Sequence, residues 1–227
     1  MEFIHTIAPE DAGDAVAAMY RRQQTAWGFV PNYAKVFCHR PEVMARWGQL
    51  LAEIRRPMDA RRFELVTFAA AHALRNSACT VAHGSRLRDF LADEVIVTLA
   101  GGGEVDALTP LEHAAMRFAR QVARDASGVT LSEVEELKAC GLSDAEVFDI
   151  AAVAAGRAFF AKLLDALGVT PDAPFLALDE ALRERLVVGR GIDRRPAAQM
   201  PEAPAADSSG FAMGGSTPSA HSGRAAS

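Results

Sequence analysis

Cys79 and His83 stand four residues apart in the segment Asn76-Ser77-Ala78-Cys79-Thr80-Val81-Ala82-His83. On a helix that spacing puts a thiol and an imidazole on one face, one turn apart. If Asn76 or Ser77 caps the helix, Cys79 falls in its first turn, where unpaired backbone N–H groups and the helix dipole favour a thiolate. The thiolate is the nucleophilic form. His83 is then placed to accept the thiol proton or to return it to a leaving group. Free cysteine also commonly serves as a small buried hydrophobe, so spacing alone leaves both roles open.

Glu64 belongs to the preceding helical stretch. Two antiparallel helices joined at Asn76 would bring its carboxylate back over the Cys–His pair, to orient the imidazole or relay a proton, although periodicity alone does not single it out. His72 follows two turns later near the same face, where a partly exposed polar residue is the more ordinary role. Arg157 sits in an apolar helix, and a buried arginine normally has an acidic partner. Pairing with Asp149 or Asp165 is the favoured reading, and attraction of an anionic substrate is the other. Tyr33, Phe37 and Trp47 either line a pocket over the thiol or belong to the core. Glu64, His72, Cys79 and His83 match no compact zinc motif, so neither a metal nor a cofactor is expected.

The elements that must hold these residues read as helices. Pro9-Glu10-Asp11 suits a helix start, and apolar residues recur at helical spacing from Val16 to about Trp27. Pro41 opens a helix striped by Val43, Met44, Trp47, Leu50, Leu51 and Ile54, and Pro57 closes it. Asp59 is a plausible cap for the helix that carries Glu64. Gly101-Gly102-Gly103 is a breaker and not a phosphate loop, having neither a preceding strand nor a following lysine. Thr109 to Glu112, Thr130 to Glu133 and Ser143 to Glu146 fit the capping-box pattern at the heads of three further helices. The third runs through Leu167, and Asp179 to Leu186 adds a last turn or two. No stretch sustains period-two alternation, and Val95 to Leu99 is assigned to a helix. The fold class is therefore all-α.

Composition sets the outer bounds. The 227 residues are half hydrophobic and carry a net charge of −5, which suits a soluble domain and speaks against nucleic acid. The N-terminus lacks the basic start and apolar run of a signal peptide, and no segment approaches the roughly 20 apolar residues of a membrane span. Three scattered cysteines make no disulfide framework. A cytoplasmic protein is expected. Residues 1–190 are assigned to one helical domain and 191–227 to a disordered tail, which from about Arg195 is Pro, Ala, Ser and Gly with almost no large apolar residue.

The segment FELVTFAAAHALRNSACTVAHG resembles the carboxymuconolactone decarboxylase and alkylhydroperoxidase D superfamily. In its redox members a helix Glu precedes Cys-x-x-Cys, with a His four residues after the second Cys. Glu64, Cys79 and His83 match the Glu, the second Cys and the His. GFVPNYAKVFCHRPEVMARW resembles the N-terminal part of the peroxidase-related branch, and LSDAEVFDIAAVAAGRAFFAKLLDALGV its last core helices. The resemblance implies an alkylhydroperoxidase D-like bundle, whose two-fold pseudo-repeat is echoed by MDARRFELVTFAAA and GLSDAEVFDIAAVAA. It also implies a homo-oligomer, commonly a trimer or hexamer, and a small-molecule substrate.

One departure bears on the chemistry: Asn76 stands where the first Cys would be. A disulfide between adjacent turns is impossible, so a sulfenate on Cys79 would need a thiol from Cys38, Cys140, another subunit or a small molecule. The leading expectation is a thiol-dependent peroxidase acting on organic hydroperoxides, with an antioxidant role. The alternatives are a lyase or isomerase of a small cyclic carboxylic acid using Glu64 and His83, and a non-catalytic helical scaffold.

Overall fold

The computed structural model describes residues 2–201. They form α1 (Asp14–Trp27), α2 (Asn32–Val36), α3 (Pro41–Arg55), α4 (Ala60–Ala73), α5 (Ser77–Leu87), α6 (Asp93–Ala100), α7 (Pro110–Asp125), α8 (Leu131–Ala139), α9 (Asp144–Ala166) and α10 (Glu180–Leu186). Among the described residues there is no strand, and extended chain pairs only at an isolated antiparallel bridge between Val30 and Ala198. The segment Pro9–Asp11, expected to open the first helix, is a separate 3-10 turn.

Helix α4 is the centre of the fold. Every side chain from Phe63 to Ala71 is buried, and α5, α7 and α9 pack around it. The alanines at 69, 70, 71 and 73 make this possible, because small side chains let neighbouring helices approach closely on several sides. Asp59 starts α4 as expected, accepting from the Arg62 N–H. All three capping boxes are formed, at Thr109, Thr130 and Ser143.

Two apolar clusters result. The larger joins α4 to α7, α8 and α9 and includes Phe68, Met116, Phe118, Leu137 and Ile150. The smaller joins α1, α2 and α3 to the C-terminal half of α9 and includes Tyr20, Phe37, Trp47, Cys79 and Phe160. The stripe read on α3 is only partly inside: Met44 and Trp47 are buried, while Val43 and Leu50, seven residues apart on one face, are exposed.

The chain after α10 departs from the expected boundary. Residues 191–201, assigned to the tail, run back along the domain. Val30 donates to the Ala198 carbonyl at 2.8 Å, Met200 donates from its N–H to Gln24 Oε1 at 2.7 Å, and both Ala198 and Met200 pack on the smaller cluster. A few apolar contacts and backbone bonds suffice here, where composition gave no periodic signal. The expected disorder of residues 202–227 lies outside the described residues. No helix among the described residues is long and apolar enough to cross a membrane.

Candidate active site

The turn between α4 and α5 sets the site. Leu74 closes α4, and Arg75 takes a left-handed conformation with φ 59°. The Arg75 N–H donates to the His72 carbonyl and the Asn76 N–H to the Ala71 carbonyl, the paired bonds of a Schellman motif with arginine where glycine is usual. The chain is thereby reversed in two residues, and α5 runs back along α4. A Cβ on Gly189 would lie 2.3 Å from the Arg75 carbonyl oxygen, so the return of the C-terminal segment against this turn needs glycine.

Asn76 is the cap of α5. Its Oδ1 accepts from the Cys79 N–H at 2.8 Å and its amide donates to the Ala161 carbonyl at 3.2 Å. Fully buried and bonded on both sides, it ties α5 to α9. Cys79 therefore stands in the first turn of α5, as the spacing predicts.

His83 follows one turn later and meets Glu64 of α4, with Nδ1 2.6 Å from Glu64 Oε2. Burial first, and then the charge of Arg157, push the His83 imidazolium down to about 4, so the ring is neutral near pH 7. Burial, the largest single effect, would raise the Glu64 carboxyl, but the hydrogen bond and charge interaction with His83 and the charges of Arg86 and Arg55 together hold it below its ordinary value. An ionised Glu64 beside a neutral imidazole fixes the tautomer: Nδ1–H donates to the carboxylate, and Nε2 keeps its lone pair as a base.

The thiol is not bonded to His83. Its partner is Arg157 of α9, whose Nη1 donates to Cys79 Sγ at 3.5 Å. Burial pushes the Cys79 thiol up, while the charge and hydrogen bond of Arg157 pull it back without reversing the shift. No ion pair of Arg157 with Asp149, Asp165 or any other acid forms among the described residues, which corrects the expected structural pairing. Its guanidinium lies over the Phe160 ring at 5.5 Å, and its Nε is buried with no hydrogen-bond partner.

These groups open onto one cavity of about 170 Å³, lined by Trp27, Tyr33, Met44, Trp47, Gly48, Leu51, Ala78, Cys79, Ala82, His83, Arg157, Phe160 and Leu164. Phe160 is held between Phe37 and Trp47, both nearly parallel to it at 5.9 and 5.7 Å. Trp27 donates from Nε1 to the Tyr33 hydroxyl at 2.9 Å. A Cβ on Gly156 would lie 2.9 Å from the tip of Trp47, so glycine at that position lets the indole lie flat on α9.

Of the residues singled out from the sequence, Glu64, Cys79, His83 and Arg157 come together, and Asn76 supports them from behind. Tyr33 and Trp47 line the cavity, whereas Phe37 backs its wall. His72 does not join: it packs on the Phe68 ring at 5.7 Å and lies outside the lining, its pKa lowered by burial and by Arg120, Arg124 and Arg75. All three cysteines are free. Cys38 is buried in the cluster that holds Cys79, while Cys140 caps the end of α8. Trp27 and Phe160 were missed in the sequence, where a terminal helix residue and one of two adjacent phenylalanines give no pocket signal. Among the described residues no group of three or more His, Cys, Asp or Glu is arranged to hold a metal ion.

Residues 41–121 match the model of the carboxymuconolactone decarboxylase family. No curated protein matches the chain in sequence. An alkylhydroperoxidase AhpD core, an uncharacterized peroxidase-related protein from Ralstonia eutropha JMP134, is similar in structure with a TM-score of 0.66. The two share 23% identity over 78% of this chain and 95% of that one. An uncharacterized peroxidase-related protein from Silicibacter sp. TM1040 is similar with a TM-score of 0.65 and 18% identity, covering 78% and 94% of the two chains. A cysteine-to-alanine variant of the debrominase Bmp8, in complex with 2,3,4-tribromopyrrole, gives a TM-score of 0.63 and 17% identity over 82% and 98%. Residues 41–121 are thus similar to the carboxymuconolactone decarboxylase family, and the fold of the chain is that of an alkylhydroperoxidase AhpD core.

Proposed function

We propose that the protein is an oxidoreductase that reduces small organic hydroperoxides at Cys79. The observation that carries this reading is the contact of Arg157 Nη1 with Cys79 Sγ, in an apolar cavity that also holds a base oriented by a carboxylate. At rest the thiol and the imidazole are both neutral. As sulfur attacks the outer peroxide oxygen, an S–O bond forms and the O–O bond breaks. The thiol proton passes to His83 Nε2 and on to the leaving alkoxide, so that thiol and hydroperoxide become sulfenic acid and alcohol. The Arg157 guanidinium offsets the charge that develops on sulfur in a site of low dielectric.

Because position 76 is asparagine, the return half of the cycle draws on a thiol from outside the α5 turn. An external thiol condenses with the sulfenic acid to a mixed disulfide with loss of water, and a second thiol releases Cys79. An antioxidant role follows if that reductant is a cellular thiol.

A second reading is favoured by the geometry of the thiol's partner. His83 is bonded to Glu64 and not to Cys79, so the Glu64–His83 pair is complete without the thiol. It could act as acid and base on a small ring compound, in a fold shared with a debrominase crystallised with a halogenated pyrrole. This reading requires that Cys79→Ser keep activity and His83→Ala lose it. Peroxide chemistry requires that both lose it. Oxidation of Cys79 by tert-butyl hydroperoxide, with consumption of the peroxide, decides between them.

A further inference from the structure

Arg117, Arg120 and Arg124 recur at spacings of three and four along α7, so they share one face on successive turns. Arg117 pairs with Glu136 of α8. Arg124 reaches across to the end of α4, where its Nε donates to the Ala73 carbonyl at 3.2 Å. Arg120, between them, is half-buried and makes neither an ion pair nor a side-chain hydrogen bond among the described residues. On the α4 side stand His72 and Arg75. Only cations act by charge on this group: Arg124 and Arg117 on Arg120, and Arg120, Arg124 and Arg75 on His72. Guanidiniums gathered without a carboxylate repel one another, in a chain whose net charge is −5 and whose acids are therefore plentiful.

Arg75 adds an independent observation. At φ 59° it holds a left-handed conformation that disfavours any side chain. Its side chain is exposed and makes no ion pair or hydrogen bond among the described residues. The strain thus has no return within the fold, and a partner from outside the chain supplies one.

We propose that Arg75, Arg120 and the Nη groups of Arg124 form a binding site for a phosphate dianion, either inorganic phosphate or the head of a small phosphate ester. The planar fork of arginine matches phosphate oxygens two at a time, and a dianion offsets more of the clustered charge than a single carboxylate does. Arg75 and Arg124 are exposed, so the ligand arrives directly from solvent. None of the three lines the cavity at Cys79, and the site stands apart from the reaction proposed above.

The experiment is a calorimetric titration of the full-length protein at pH 8 and fixed ionic strength, with inorganic phosphate and, separately, phenyl phosphate. Saturable binding of one phosphate per chain is expected, weakened at least tenfold in Arg120→Gln and in Arg75→Gly. Arg56→Gln, which removes an arginine paired with Glu53 on α3, should change the affinity less than twofold. Tighter binding of phenyl phosphate would identify the ligand as an ester head group, and equal or weaker binding would identify it as the free ion. If Arg120→Gln fails to fold, Arg75→Gly carries the test, because its turn favours glycine. Absence of saturable phosphate binding by the wild type overturns the proposal. So does an affinity that a folded Arg75→Gly or Arg120→Gln lowers no more than Arg56→Gln does.

Discussion

Arg157 and Cys79, 78 positions apart in the chain, meet at 3.5 Å between Nη1 and Sγ, and the guanidinium opposes the effect of burial on the thiol. Two effects oppose each other there. Burial raises the thiol pKa, and the guanidinium lowers it by less. Removing the guanidinium leaves burial unopposed, so the thiolate fraction falls, by about tenfold for each unit of pKa. Arg157→Gln is therefore expected to slow iodoacetamide alkylation of Cys79 at pH 8 by roughly tenfold or more, with Cys140 as an internal control. Faster alkylation in the variant would show that Arg157 shields the thiol and does not activate it.

His83 yields a prediction on stability. Its folded pKa of about 4 lies below the ordinary imidazole value of 6.5. Between those values the unfolded chain binds the extra proton, so the contribution of a neutral His83 is fully present above about 6.5 and is lost as the pH falls towards about 4. Asp172, pushed up to about 7 by burial, works in the opposite sense over much of this window, which is why the wild-type curve alone does not isolate His83. The difference in Tm between wild type and His83→Gln does. It should be larger at pH 7 than at pH 4.5, and a difference that widened towards acid would mean that His83 is charged in the fold.

Asn76 should behave as a structural cap. Its Oδ1 holds the Cys79 N–H and its amide holds the Ala161 carbonyl. Asn76→Ala removes the cap and leaves the buried Cys79 N–H without its acceptor, at a cost of about 1–3 kcal/mol. Asn76→Ser keeps a capping acceptor without placing a buried charge against the Ala161 carbonyl, and loses less. Thermal unfolding of the two variants ranks them, and equal losses would show that capping is not what Asn76 contributes.

Arg75 offers the opposite sign. It holds φ 59° at the turn into α5, where a side chain costs roughly 1–2 kcal/mol relative to glycine. Arg75→Gly is expected to raise Tm by a few degrees, after some loss to the greater freedom of glycine in the unfolded chain. A lower Tm would reveal a stabilising contact of the Arg75 side chain larger than the backbone strain.

What the sequence made legible was local. Helix starts at Asp59, Thr109, Thr130 and Ser143 depend on one side chain bonding to a backbone three residues on, and each is in place. The i, i+4 placement of Cys79 and His83 follows from helix geometry alone. The pairing of Glu64 with His83 needed the family resemblance, because it depends on how α5 returns along α4. The turn responsible has Arg75 where glycine would have marked it. Arg157 was legible as an anomaly, a charge in an apolar helix, but its partner was not: the choice between Asp149, Asp165 and the cavity is made by the rotation of α9 against α5. Trp27 and Phe160 reach the pocket through tertiary packing and left no local trace.

The most direct test of the account is mass spectrometry of the reduced protein after an equimolar addition of tert-butyl hydroperoxide, with a sulfenic-acid trap present and Cys79→Ser as control. Rapid trapping at Cys79, slowed about a hundredfold or more in His83→Ala as expected for the loss of a general acid–base group, is the result the proposed reaction requires. A Cys79 that stays a thiol while the peroxide persists would contradict it, and would leave Glu64 and His83 as the acid–base pair of a different reaction.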